Sequence, residues 1–346
     1  MSAGQPPLKV GIAGLGRAGA LAPAVPAPAG GEPVIRNHLA AVVSTPAYEI
    51  AALVEPDRER LNQAVGLYPA AGKARAYDAL ADLPAGELDV LILCTPTDSR
   101  RQDVLTALSR RPRLLVVEKP LAADTDTGEA LLQAAAAAGC ALRINFNRRF
   151  DGPIQRFWGA IGGAPNAALC RYTTGLMNYG SHMVDLLTYW FGPVRAVQAI
   201  GASSSDADPL ISFSCQMDAG WPAHVLALPG VAYDQFEMEF YLPDGCARLV
   251  NNGVDKHYYR ISSDLYYPGY AHLSEAPEYR DATPTGGFAE FHRLAASALH
   301  ASTDVPGCTG SEALANLRLL EAVRESAASG GRVVQLPAAA GPSSAE

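Results

Sequence analysis

Three things are missing from this chain, and each closes off a class of function. There is no basic block: 27 Lys and Arg stand against 35 Asp and Glu, a formal net charge of −8. That is the wrong sign for a surface that neutralises nucleic-acid phosphates or an anionic membrane. No apolar run reaches the roughly 18–20 residues that cross a bilayer. The first residues, Met1-Ser2-Ala3-Gly4-Gln5-Pro6-Pro7, lack the charged-then-apolar layout of a secretory signal. Paired cysteines are also missing. Cys94, Cys140, Cys170, Cys215, Cys246 and Cys308 are scattered without a Cys-x-x-Cys motif, and most have apolar or small neighbours. This predicts buried free thiols, with neither disulfides nor a metal site. The expectation is a cytoplasmic protein with no nucleic-acid or membrane partner.

What is there reads as a globular protein. At 346 residues, 49% of them hydrophobic and 18% charged, the chain is long for one core, and two domains are expected. The most informative stretch lies near the start. Gly14-Leu15-Gly16-Arg17-Ala18-Gly19 follows the apolar run Leu8-Lys9-Val10-Gly11-Ile12-Ala13. In a strand–turn–helix unit such glycines allow a tight turn and close backbone approach to a pyrophosphate, which the free N–H groups then bind. Pro23, Pro26 and Pro28 come next and are too close together for an ordinary helix. A loop is therefore expected before a helix running from near residue 35 to 43, with at most a stub of helix behind the turn.

The second strand, 48–54, ends at Glu55-Pro56-Asp57. An acid there either grips the adenosine ribose, which favours NAD over NADP, or opens the turn before the helix at 58–67. Arg58 and Arg60 keep NADP use open. Apolar runs at 88–94 and 114–117 predict buried parallel strands. They deliver Thr95-Pro96-Thr97 and Glu118-Lys119-Pro120. A helix at 127–139 and a strand at 141–146 complete an alternating pattern, that of a parallel sheet covered on both faces. From about residue 150 the texture changes. Strands are expected at 170–174, 194–200, 210–217, 224–228, 236–241 and 247–251, with a hairpin turn at Pro243-Asp244-Gly245. Helices are expected at 181–191, 287–300 and 311–326.

The fold class expected is thus an α/β Rossmann domain with a parallel sheet, over 1–146, followed by an α+β domain with a mostly antiparallel open sheet, over 147–336. A disordered tail is expected over 337–346.

The motifs Gly14-x-Gly16-x-x-Gly19, Glu55-Pro56-Asp57, Thr95-Pro96-Thr97, Glu118-Lys119-Pro120, Asn147-Arg148-Arg149-Phe150-Asp151 and Gly180-Ser181-His182-Met183-Val184-Asp185 occur in an order that resembles the glucose–fructose oxidoreductase / inositol dehydrogenase (Gfo/Idh/MocA) family. The resemblance covers almost the whole chain. It implies NAD as cofactor, lined by the glycine turn, Glu55, Thr95, Pro96, Thr97, Glu118, Lys119 and Asn147. It implies hydride transfer to or from a hydroxyl-bearing carbon of a sugar-like molecule, with Lys119 and His182 catalytic and Arg149 on the substrate side. It also implies a homodimer or homotetramer through the C-terminal sheet.

The residues suit that chemistry. Oxidising an alcohol needs a base for the hydroxyl proton, and imidazole titrates near neutrality. A lysine ammonium can hold developing alkoxide charge. Asp185, one helical turn beyond His182, either orients the imidazole or serves as a helix N-terminal acid. Tyr172 and Asn178 either face substrate or serve packing and strand pairing.

Two departures from the family pattern stand out. Asn178 occupies a position where many relatives carry Asp, and Arg100 stands where many carry His. The stretch 172–182 and the insertion after Gly19 resemble a subgroup from bacterial surface-polysaccharide pathways, which points to a sugar or nucleotide sugar. Two alternatives stay open: a non-redox cofactor-sensing or assembly protein, and an enzyme that recycles tightly held NAD through elimination or epimerisation.

Overall fold

The structure is a computed structural model and describes residues 5–26, 33–203, 207–277, 280–283 and 286–337. Along the chain it runs β1 (Leu8–Ala13), a π-helical turn Arg17–Leu21, α1 (His38–Val43), β2 (Tyr48–Val54), α2 (Arg58–Leu67), β3 (Arg75–Tyr77), β4 (Val90–Leu93), α3 (Arg100–Ser109), β5 (Leu114–Val117), α4 (Thr125–Ala137) and β6 (Ala141–Ile144). After it come α5 (Gly152–Ile161), β7 (Ala167–Tyr172), a second π-helical turn Gly175–Gly180, α6 (Ser181–Phe191), β8 (Val194–Ser203), β9 (Leu210–Met217), β10 (Pro222–Ala227), β11 (Phe236–Leu242) and β12 (Gly245–Val250). The chain ends with β13 (Asp255–Ser263), β14 (Ala271–Glu275), α7 (Phe288–Ala301), β15 (Cys308–Thr309), α8 (Gly310–Ala328) and β16 (Val334–Gln335).

Two compact units result: Met1–Asp151 with Gly286–Leu317, and Gly152–Thr285 with Arg318–Glu346. The expected division at 146/147 is corrected in two ways. The boundary falls after Asp151, and the chain returns to the first unit with α7 and β15. The reason is apolar packing: Phe291, Ala295, Ala296 and Val305 belong to the same core as Val10, Ile12, Leu39 and Val116. Of the expected tail, residues 338–346 lie outside the described residues, as do 27–32 of the proline-rich insertion.

The first unit holds a sheet in the order β15-β6-β5-β4-β1-β2-β3. Neighbours from β6 to β3 run parallel, and β15 alone is antiparallel. Every residue of β4 and β5 is buried, which is why those strands read as unbroken apolar runs. Asn37, Asp57 and Asp124 cap α1, α2 and α4 by accepting backbone N–H groups. Strand order reverses between β1 and β4, the switch point where ligands bind in such sheets.

The second unit holds a sheet in the order β14-β13-β12-β11-β7-β10-β9-β8-β16. Among the described residues of this sheet, only β7 and β10 pair in parallel. Burial alternates residue by residue along β7 and β9, so one face packs on α5, α6 and the later part of α8 through Phe157, Leu186, Trp190, Phe213, Phe240 and Val323. The turn at Pro243-Asp244 joins β11 to β12, as expected. Strands β3, β13, β14, β15 and β16 were not expected. β3 is three residues long, and β13 and β14 are rich in polar and exposed side chains. All six cysteines are free thiols. No described helix is long and apolar enough to cross a membrane.

Candidate active site

The glycine turn leaves β1 at Ala13. Gly14 has φ +83°, and a Cβ there would stand 2.8 Å from the Cys94 carbonyl group. The turn is pinned on both sides, because Gly14 N donates to Val54 O at 2.9 Å and Cys94 N donates to Ala13 O at 2.8 Å. A Cβ on Gly19 would lie 2.0 Å from Gly14 O, whereas one on Gly16 would meet nothing within 4 Å. The first and third glycines are thus needed by the fold. The second opens towards a cleft.

That cleft has a volume of about 850 Å³ and is lined by Gly14, Gly16, Glu55, Arg60, Asp78 and Thr95 among others. Glu55 is 2% exposed. Its Oε2 accepts from Leu15 N at 2.8 Å, and its Oε1 accepts from Asp57 N and Arg60 Nη1, each at 3.2 Å. It therefore braces the glycine turn and the start of the Asp57 turn, and it lines the cleft at the end of β2. Thr95 lines the same cleft, and its buried Oγ1 has no hydrogen-bond partner among the described residues. Gly19 lies inside a single π-helical turn, Arg17–Leu21, and an antiparallel bridge between Val25 and Val34 follows.

Beyond the switch point lies a buried polar framework whose connections sequence reasoning missed. Arg100, 2% exposed, reaches from the start of α3 across the ends of β4 and β5. Its Nη2 donates to Thr95 O at 2.9 Å, and its Nη1 donates to Pro120 O at 2.6 Å and to Glu118 O. Burial draws the Arg100 pKa down while Glu118 opposes that. The Glu118 side chain is gripped as well: Oε1 faces His38 Nε2 at 3.1 Å and accepts from Asn145 Nδ2 at 2.6 Å. Burial pushes this carboxyl up, but His38, Asn145 and Lys119 more than offset it, and the pKa lies below the usual carboxylate value. His38 Nδ1 in turn pairs with His292 Nε2 at 2.8 Å, and both rings are fully buried. The only sequence signals were a histidine opening a helix and an arginine where relatives carry histidine.

Asn147 starts a helical turn, Asn147–Phe150, just beyond β6. Gly287 packs so closely there that a Cβ would lie 1.8 Å from Asn147 O. Arg149, expected on the substrate side, is 5% exposed and pairs through Nη1 with Glu312 Oε1 at 2.8 Å. It braces the first turn of α8.

In the second unit, Asp208 takes the N–H groups of Met177 and Asn178 at 2.7 and 3.1 Å, which shapes the π-helical turn before α6. This turn leaves Asn178 exposed and delivers His182, partly exposed, to the first turn of α6. Asp185 lies on that helix but is 1% exposed. Tyr172 is corrected outright. It is fully buried, and its hydroxyl donates to Ile211 O at 2.8 Å and accepts from Ile211 N at 3.0 Å. Packing is its role.

Residues 8–146 match the family described as an oxidoreductase family with an NAD-binding Rossmann fold, GFO_IDH_MocA. The match is to that family's NAD-binding domain. Among the proteins it resembles is an inositol 2-dehydrogenase of Rhizobium meliloti, 31% identical over 101 residues, covering 27% of this chain and 30% of the relative. A D-apiose dehydrogenase of Paraburkholderia graminis is 30% identical over 188 residues, 47% of this chain and 48% of the relative. The chain thus spans about half or less of the length of the curated relatives it matches. The WlbA dehydrogenase of Bordetella pertussis, solved with NADH and UDP-GlcNAcA, superposes with a TM-score of 0.73 at 19% identity, over 96% of this chain and 99% of that one. That likeness carries the fold of both units. The cleft fits the family's NAD: the open face of Gly16 leaves room for a pyrophosphate, and Thr95 Oγ1 offers a polar contact.

Proposed function

We propose that the protein is an NAD-dependent dehydrogenase or reductase acting on a hydroxyl-bearing carbon of a sugar, cyclitol or nucleotide sugar. The observation that supports this most is the joining of the cofactor cleft to the Lys119 turn. Arg100 ties Thr95, on the cleft wall, to both neighbours of Lys119. Bound nicotinamide supplies the hydride acceptor or donor. The chain supplies the rest. Lys119 offers an ammonium to the developing alkoxide, and His182 takes or returns the hydroxyl proton. Asn178 presents an amide that orients a hydroxyl without relaying a proton. The substrate class draws on relatives named for inositol and D-apiose and on a structural neighbour holding UDP-GlcNAcA. The same reading includes a cytoplasmic homodimer or homotetramer formed through the second unit's sheet.

The test is NADH formation or consumption by purified protein over a panel of cyclitols, aldoses and UDP-sugars, with Lys119→Ala and His182→Ala alongside. Turnover by wild type, lost in both variants, supports the reading. Absence of turnover across the panel would sink it. Cofactor that survives gel filtration without net NADH production would point instead to an elimination or epimerisation cycle.

A further inference from the structure

A dinucleotide lies across the switch point in two halves, the adenosine half over β1–β3 and the nicotinamide half over β4–β6. The glycine turn and Glu55 serve the first half. The second is served by the ends of β4, β5 and β6, where Thr95, Glu118-Lys119 and Asn145 emerge. These strand ends are short and irregular, and a group that must meet a nicotinamide ring to within a fraction of an ångström needs something to hold it.

We propose that Arg100 and His38 are positioning residues for the nicotinamide half of the site, clamping Glu118 from its two ends so that the Glu118-Lys119 turn is preset. Arg100 grips the backbone: one buried guanidinium serves the carbonyls of Thr95, Glu118 and Pro120, so the β4 and β5 ends move as one piece. His38 grips the side chain. A carboxylate accepts, so His38 Nε2 carries the proton and donates to Glu118 Oε1, and Asn145 Nδ2 is the second donor to that oxygen. The His38 ring is fixed at its other nitrogen by His292, so it cannot swing away.

Three distant parts of the chain meet on this carboxylate, α1, the β5 end and the β6 end, and α7 joins through the His292 contact to His38. Burying a guanidinium, a carboxylate and two imidazoles is costly unless every one is paired. None of these residues lines the 850 Å³ cleft itself, so its adenosine side is expected to be indifferent to their loss. Arginine suits the clamp because its planar fork meets several carbonyls at once, which a lysine point charge does not.

The test compares two ligands that share the adenosine half, NAD and ADP-ribose, by calorimetry. It uses wild type, Arg100→Lys, His38→Leu and His38→Gln, with the melting temperature of each recorded. In wild type, NAD is expected to bind tighter than ADP-ribose. In Arg100→Lys and His38→Leu, ADP-ribose affinity is expected to stay within about twofold, while NAD weakens about tenfold and loses most of its advantage. His38→Gln keeps an N–H at similar reach and is expected to recover at least half of that advantage. Equal loss for both ligands, or unchanged NAD affinity, would overturn the proposal and leave Arg100 and His38 as core residues only. Should His38→Leu fail to fold, Arg100→Lys decides on the same criterion. Binding needs no turnover, so failure of the dehydrogenase reading would show separately, as inactive wild type with this pattern intact.

Discussion

Glu55 Oε2 accepts a hydrogen bond from the Leu15 N–H at 2.8 Å, so the acid at the end of β2 is part of the glycine turn. Glu55→Ala is therefore expected to act on fold and cofactor together. It leaves a buried N–H without its acceptor, a loss of about 1–3 kcal/mol in stability. It also releases Arg60, now held by Glu55 and Asp57, to meet a 2′-phosphate. Calorimetry should show NAD binding about tenfold weaker, with NADP gaining relative to it. Unchanged NAD affinity would remove Glu55 from the cofactor site.

The three glycines of the turn are expected to separate by experiment. Alanine at Gly19 or Gly14 collides with backbone and should destabilise the protein by about 1–3 kcal/mol through overpacking. Alanine at Gly16 meets no protein atom, and φ there is −68°, so the melting temperature should hardly change. NAD affinity should nonetheless fall at least about tenfold, because the methyl takes the pyrophosphate's space. Denaturation and titration of the three variants read this directly. A Gly16→Ala protein that binds NAD normally would place the phosphates elsewhere.

Much of this arrangement was legible in the chain because local physics imposed it. The unbroken apolar runs of β4 and β5 announce strands buried on both faces, and the spacing of Gly14, Gly16 and Gly19 announces a turn. Long-range closure left no such mark. Nothing local says that Phe291 joins the core of Val10 and Ile12, so α7 was assigned to the wrong unit. Strands β13 and β14 carry polar and exposed side chains on an open stretch of sheet, where hydrophobic alternation fades. Tyr172 was ambiguous for a different reason. A tyrosine beside a motif serves packing or chemistry equally well, and only the Ile211 contacts decide. His38 and Arg100 matter through partners 80 and 18 residues away, a coupling that no periodicity encodes.

Tyr172→Phe should separate packing from substrate contact. Removing the hydroxyl strands both the N–H and the carbonyl of Ile211, at about 1–3 kcal/mol of stability. Once a substrate is in hand, its KM should stay within about twofold of wild type. A raised KM with unchanged stability would restore Tyr172 to the substrate side.

Stability should fall on mild acidification, and His292 is the reason. The ring is fully buried. Desolvation, with the nearby His38 charge adding to it, holds its pKa well below the ordinary 6.5. The unfolded chain takes up a proton near that value and the folded protein does not, so the unfolded state binds more protons as pH drops. Stability is therefore full above about pH 6.5 and declines below it, by up to about 1.4 kcal/mol per pH unit for this one group. Glu118, Glu239 and Glu312 are held below the usual 4.5. Their contribution is complete above that value and is lost as pH falls through their lower folded values, giving a second, more acidic decline. Urea midpoints measured from pH 8 to pH 5 should show the first decline in wild type. His292→Gln, which has no ring to protonate, should be nearly flat over the same range. Parallel slopes in the two proteins would assign the decline to another group.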